Sequence, residues 1–224
     1  MAGSVDHERF RANVTEIVRF AGQLKERWEI RSCMNGCEEV CYLVNQGVVR
    51  PLCQPLVRSE PATSSQPGPD CSEDSDVALD IEDEEWPPPE GSFNLQTRNW
   101  DVAESCQFEY HILYSQSYSV PVLYFTASKS DGRLLSLDEV WQMVPPAYQE
   151  RLRHERWTFI TQQEHPYLGR PFFQLHPCHT TDLMGAVFSP GSMSGNYVVT
   201  WLSSVGPVVG LHLPLQFSQL CQGR

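Results

Sequence analysis

No apolar run in this 224-residue sequence approaches the roughly 20 residues a helix needs to cross a bilayer. The start, Met1-Ala2-Gly3-Ser4-Val5-Asp6-His7-Glu8, also lacks the apolar core of a secretory signal. Basic side chains are scarce, with 16 Lys and Arg against 28 Asp and Glu and a formal net charge of −12. That balance argues against nucleic acid and against anionic membrane surfaces as partners, and no membrane insertion is expected. A zinc-ribbon Cys-x-x-Cys pair is missing too. Cys33, Cys37 and Cys41 recur every fourth residue with Cys53 further on, and no matching histidine pair follows. No metal and no cofactor is expected, and these thiols are read as ordinary ones in a strand and its leading loop. Eight cysteines without a secretory signal predict free thiols in a reducing compartment, which makes the protein cytoplasmic.

The acidity is concentrated in one place. Residues 54–92 hold eleven acidic side chains and one basic one, a net of −10, which leaves about −2 for the rest. The same stretch holds seven prolines, many serines and one aromatic, Trp86. It cannot bury enough apolar surface to offset its ordering entropy and is expected to be a disordered insertion in a single domain spanning 1–224. A docking strip for a basic partner surface is the alternative use.

Around that insertion the patterns are regular. Phe10, Val14, Ile17, Ala21, Leu24 and Trp28 recur at spacings of three and four, which predicts an amphipathic helix packed on a sheet. Glu39 to Asn45 reads as a strand. Phe108–Tyr114 and Val120–Phe125 flank Ser115 to Ser119 as an antiparallel hairpin, with Pro121 at an edge or a strand start. Asp131-Gly132 marks a turn. Ser136-Leu137-Asp138-Glu139 is a capping box opening a helix that Pro145-Pro146 interrupts, and a short helix follows through Tyr148 and Leu152. Periodicity leaves Thr158–Gln163 unassigned. Asn196 to Val205 reads as a helix stopped by Gly206-Pro207, with Val208–Leu211 extended. The order predicts an α+β fold around an antiparallel sheet.

Cys178 is the residue with chemistry to offer. It sits in Phe172-Phe173-Gln174-Leu175-His176-Pro177-Cys178-His179-Thr180, between two histidines and behind a proline. A free thiol titrates at about 8.5, and a nearby imidazolium or helix N-terminus lowers that value. Pro177 fixes a backbone dihedral next to it. The run from Pro171 to Leu175 reads as a strand feeding a site at the sheet edge. A buried, inert cysteine is the plainer alternative.

Longer blocks carry a resemblance. Ser117-Tyr118-Ser119-Val120-Pro121-Val122-Leu123-Tyr124-Phe125, Asp131-Gly132-Arg133 and Leu137 come first. Gln162-Gln163-Glu164-His165-Pro166, Gly169, Pro171-Phe172-Phe173 and His176-Pro177-Cys178 follow, then Trp201 through Leu211. Over about residues 100–215 this pattern resembles the E2-like conjugating enzymes of autophagy. The resemblance implies a ubiquitin-conjugating-enzyme-like core in which Cys178 accepts the C-terminal glycine of a ubiquitin-like protein as a thioester. The implied partners are the E1-like autophagy activating enzyme, the ubiquitin-like autophagy-related protein twelve as donor, and autophagy-related protein five as the lysine-bearing acceptor.

The reaction makes its own demands. Acyl transfer to lysine needs a thiol that is both nucleophile and leaving group, together with donors for the oxyanion of the tetrahedral intermediate. Conventional ubiquitin-conjugating enzymes use the Asn of a His-Pro-Asn triplet, whereas here His165-Pro166 is followed by Tyr167. His176, two residues from the sulfur, is the candidate donor. Tyr110 or Tyr114 could assist but read first as packed aromatics, His179 as solvated and His165 as a turn histidine. Two rivals remain. A cysteine hydrolase of ubiquitin-like tails would need a base histidine oriented by a third group and would release the acyl group to water. A non-catalytic adaptor would bind partners by strand addition at the hairpin edge and form no adduct.

Overall fold

Asp6 starts the first helix by accepting the Arg9 N–H at 2.7 Å, which satisfies one of the free donors of the opening turn. The computed structural model describes residues 3–35, 38–51, 105–152, 159–188 and 195–222. The acidic insertion expected over 54–92 lies outside them, as do Cys37 and Cys53. Helix α1 (His7–Leu24) ends where Lys25 turns left-handed at φ 58° and returns its N–H to the Ala21 carbonyl. Trp28 therefore does not extend the helical stripe. It opens strand β1 (Trp28–Asn35), opposite Asn45, and reaches the same core from the sheet. The stripe's spacing runs on past the residue at which the backbone changes direction.

Among the described residues, six antiparallel strands form one sheet in the spatial order β1-β2-β3-β4-β6-β5. They are β1, β2 (Glu38–Pro51), β3 (Ser105–Ser115), β4 (Val120–Lys129), β5 (Ile160–Glu164) and β6 (Pro171–Leu175). The ends of β2 and β3 pair at Pro51↔Ser105, so residues 52–104 join two neighbouring strands. Gly47, at φ 74°, supplies the extra residue of a bulge in β2, a conformation that a side chain would strain. Pro121 is the second residue of β4, at a strand start as its missing N–H requires. β6 differs from expectation: β5 pairs with it from Ile160↔Leu175 to Glu164↔Pro171, so β5 is the outer strand and β6 lies one strand in.

Alternation assigns the two faces of the sheet. Phe108, Tyr110 and Ile112 of β3, with Leu123 and Phe125 of β4, point into the main core. There they meet Phe10, Val14 and Ile17 of α1 and Val198, Trp201 and Leu202 of the last α-helix among the described residues, Tyr197–Val205. It is α5, since α2 (Leu137–Met143), α3 (Pro146–Leu152) and α4 (Thr180–Val187) precede it in the chain. Each fully buried large apolar side chain contributes about 1.5–3 kcal/mol. Asn196 caps α5 through the Val199 N–H at 3.0 Å and ties it to α1 by donating to the Asn13 carbonyl and the Glu16 carboxylate. The opposite face carries Tyr42, Val44 and Leu113, flanked by Cys33, Tyr124 and Tyr167.

The predicted capping box is present. Ser136 accepts the Glu139 N–H while Glu139 accepts the Ser136 N–H, opening α2 (Leu137–Met143), and α3 (Pro146–Leu152) follows. Thr180–Val187, which the sequence patterns leave unassigned, forms a helix, α4, and the extended segment expected over Val208–Leu211 is replaced in its first half by a 3-10 turn, Gly206–Val209. That turn is held at the Val209 carbonyl, which accepts from both Arg50 and the Tyr110 hydroxyl at 2.9 Å. The α+β class predicted from the sequence is the one observed. No helix of the described residues is long and apolar enough to cross a membrane.

Candidate active site

β6 ends at Leu175, and the chain turns at once into one 3-10 turn, Pro177–His179, followed without a break by α4. His176 is the residue that caps this turn. Its backbone N–H is held by the Phe159 carbonyl at 2.9 Å, and its Nδ1 accepts the Cys178 N–H at 3.2 Å. Pro177 occupies the first position of the turn, where a missing N–H is harmless, and is buried. Cys178 is exposed. The buried cysteine of the plainer reading is therefore not what this segment builds. The sequence's Pro-Cys order has a direct structural counterpart: the proline is the anchor, and the thiol is the residue lifted off the surface.

Because His176 Nδ1 accepts a hydrogen bond, its ring proton in the neutral form lies on Nε2 and is available to donate. The ring packs edge-on to Tyr118, at 5.9 Å between centroids, from the β3–β4 turn. An open groove of about 470 Å³ runs from His176 and Pro177 along the outer face of the sheet. Its walls include Tyr118, Tyr124, Tyr167 and Gln174, and among the described residues none that lines it is Asp, Glu, Lys or Arg. Gln174 donates to the Tyr124 hydroxyl at 2.9 Å, and burial pushes the Tyr124 phenol up. Such a wall offers hydrogen bonds without fixed charge, which suits peptide backbone.

The other candidates fall elsewhere. Tyr110 donates to the Val209 carbonyl within the core, its phenol pushed up to about 12 by burial, and Tyr114 donates to the Val5 carbonyl at 3.0 Å. Both hydroxyls are committed. His179 is exposed at the end of the turn. His165 is fully buried and organises the turn after β5, donating its backbone N–H to the Arg170 carbonyl, accepting from Leu168 and Gly169 on its own carbonyl, and accepting the Tyr167 N–H on its Nδ1 at 3.2 Å. Cys33 and Cys41 lie on the neighbouring strands β1 and β2, and with Cys106, Cys178 and Cys221 they are free thiols.

Sequence reasoning passed over His111 and Glu109. His111 is fully buried, its Nδ1 3.0 Å from His165 Nε2 and its Nε2 2.8 Å from Glu109 Oε1. The signal was available. Gln107, Glu109 and His111 alternate with Phe108, Tyr110 and Ile112 along β3, and a polar row inside a strand this apolar marks a second, organised face. This imidazole–carboxylate pair lies under the outer face and makes no hydrogen bond to Cys178, so the oriented base that a cysteine hydrolase needs is not formed by it.

Comparison with known proteins gives a consistent answer. Residues 9–216 match the family described as autophagocytosis associated protein, active-site domain. The sequence is 48% identical over 141 residues to the ubiquitin-like-conjugating enzyme ATG10 of Homo sapiens, covering 59% of this chain and 64% of that protein. It is 47% identical over 119 residues to the Arabidopsis thaliana protein of the same name, covering 50% and 53%. A third, from Dictyostelium discoideum, is 36% identical over 119 residues, covering 48% and 52%. The chain thus spans between half and two thirds of the length of these relatives.

Proposed function

Because the chain belongs to the family of autophagocytosis-associated active-site domains, we propose that it is an E2-like conjugating enzyme of autophagy with Cys178 as its thioester-forming residue. The observation that carries this reading is the exposure of Cys178 on a proline-anchored turn, next in sequence to Pro177, which lines the groove. The donor is autophagy-related protein twelve, delivered as a thioester on the E1-like activating enzyme. The Cys178 thiolate attacks the glycine carbonyl of that thioester, and the activating enzyme's thiol leaves. An ε-amine of autophagy-related protein five then attacks the new thioester, the Cys178 thiolate departs, and an isopeptide bond remains. The Nε2–H of His176 is the donor assigned to the oxyanion in that second attack. Free thiols at five described cysteines suit a reducing cytoplasm.

Incubation with activating enzyme, ATP and donor, followed by a non-reducing gel, tests the reading. A Cys178-dependent adduct that reductant removes is the expected result. No adduct with partners proven active would leave a binding-only role.

A further inference from the structure

Among the described residues, two fully buried histidines touch one another beneath the outer face of the sheet, and the assigned reaction uses neither. His111 and His165 meet at 3.0 Å within a shell of aromatic rings: Tyr42, Tyr124 and Phe172 stand 4.8–5.5 Å, and Tyr167 5.8 Å, from the His165 ring. Polar groups in such surroundings must be fully paired, and here the pairing has one solution. The Tyr167 N–H can only donate, so His165 Nδ1 accepts and its proton sits on Nε2. That proton is given to His111 Nδ1, so the His111 proton in turn sits on Nε2 and is given to Glu109 Oε1. The carboxylate is also held by the Gln46 side-chain amide at 2.6 Å, with Arg31 at 3.8 Å. Three hydrogen bonds in one direction thus connect a half-buried carboxylate on β3 to the backbone of Tyr167.

Tyr167 and Pro166 are wall residues of the groove that reaches His176 and Pro177. The loop carrying them spans β5 and β6, the strand that ends at the Cys178 turn. We propose that Glu109, His111 and His165 form a positioning relay that sets the Tyr167 wall of the groove leading to Cys178. The relay rests on the conjugating function assigned above, since it acts on the groove that function uses. Its members touch no reacting atom. They hold the loop in one place, and small displacements of groove walls lower transfer rates roughly ten- to a hundredfold.

Two substitutions at one position separate the relay from packing. His111→Gln keeps one acceptor for His165 and one donor for Glu109. His111→Phe fills the aromatic shell but carries neither. The relay predicts that single-turnover discharge of the preformed thioester to the acceptor falls at least about tenfold in His111→Phe, and that His111→Gln recovers most of it. Simple packing predicts the reverse order, with Phe near wild type and Gln impaired, and that result would overturn the proposal. Nitrogen-15 NMR of the wild-type imidazoles reads the relay without reference to activity. Both rings should be Nε2-protonated with slowly exchanging protons, and an Nδ1-protonated His111 would refute it. A wild type that never loads, yet shows those two tautomers, would overturn the assigned function and leave the hydrogen-bonded chain standing as structure alone, so the groove-setting role would fall with the function.

Discussion

His176 Nδ1 accepts the backbone N–H of Cys178 at 3.2 Å, so one imidazole both caps the turn that presents the thiol and keeps an Nε2 proton to donate. The two roles can be divided. Asparagine is a strong capping residue and restores the acceptor, but has no atom at the Nε2 position. His176→Asn is expected to load from the activating enzyme at close to the wild-type rate and to discharge to lysine about a hundredfold more slowly, in line with removal of one oxyanion donor. His176→Ala should slow both steps, because the cap is lost as well. Single-turnover rate constants for each step, measured separately, check this. Equal discharge by His176→Asn and wild type would remove the ring from the oxyanion site.

Exposure of Cys178 means that its side chain contributes little to the core. Cys178→Ala should melt within about 0.5 kcal/mol of wild type and form no adduct. Cys178→Ser should give an oxyester that persists on a reducing gel and is cleaved by alkali, because thiols exchange with thioesters far faster than with esters. An adduct in Cys178→Ala would move the assignment to another thiol.

The hairpin of β3 and β4, the capping box at Ser136 and the helix that follows Asn196 were legible because each is set by local sequence signals within a few residues. Cys178 and His176 were legible for the same reason, lying two residues apart in one turn. What escaped was non-local or hidden by a competing period. β1 was masked because Trp28 falls in step with the α1 stripe, and only the left-handed Lys25 breaks that helix. α4 follows the cysteine turn without a break, so no fresh capping signal marks it: His179 makes no side-chain cap. His111 and His165 are 54 residues apart in sequence, and no spacing rule joins them.

Burial of His165 holds its imidazole down at about 4, against about 6.5 in an unfolded chain. Between those values the unfolded chain takes up a proton that the folded protein refuses. Stability from this group is therefore complete above about pH 6.5 and is lost as pH falls toward 4. Glu109 acts with the same sign lower down. Hydrogen bonding from His111 holds its carboxyl at about 2, so its contribution is present above about 4.5 and disappears as pH falls toward 2. Urea unfolding at pH 7 and about 4.5 should show wild type losing on the order of 2–3 kcal/mol more than His165→Asn between the two conditions. Equal losses would show that His165 titrates normally in the fold.

Gly3 tests how firmly the N-terminal segment is fixed to the helix behind the thiol. Its φ is 90°, and a Cβ there would lie 2.0 Å from the Thr181 carbonyl oxygen and 2.7 Å from the Gly185 nitrogen, both backbone atoms of α4. Backbone in a helix cannot step aside as a side chain can. The Gly3 carbonyl is meanwhile held by the Tyr197 hydroxyl at 2.6 Å, so the segment cannot shift without losing that bond. Gly132 is the matched control, with φ 86° and no atom within 4 Å of a built Cβ. Gly132→Ala should show only the left-handed backbone penalty of about 1 kcal/mol. Gly3→Ala should lose that amount and a further roughly 1–2 kcal/mol from the collision, lowering the melting temperature by about 4–12 °C. It should also slow thioester loading, because α4 begins two residues after Cys178 and moves the turn with it. Melting temperatures of the two variants that coincide would show that residues 3–5 leave α4 freely, and the loading rate of Gly3→Ala would then match wild type.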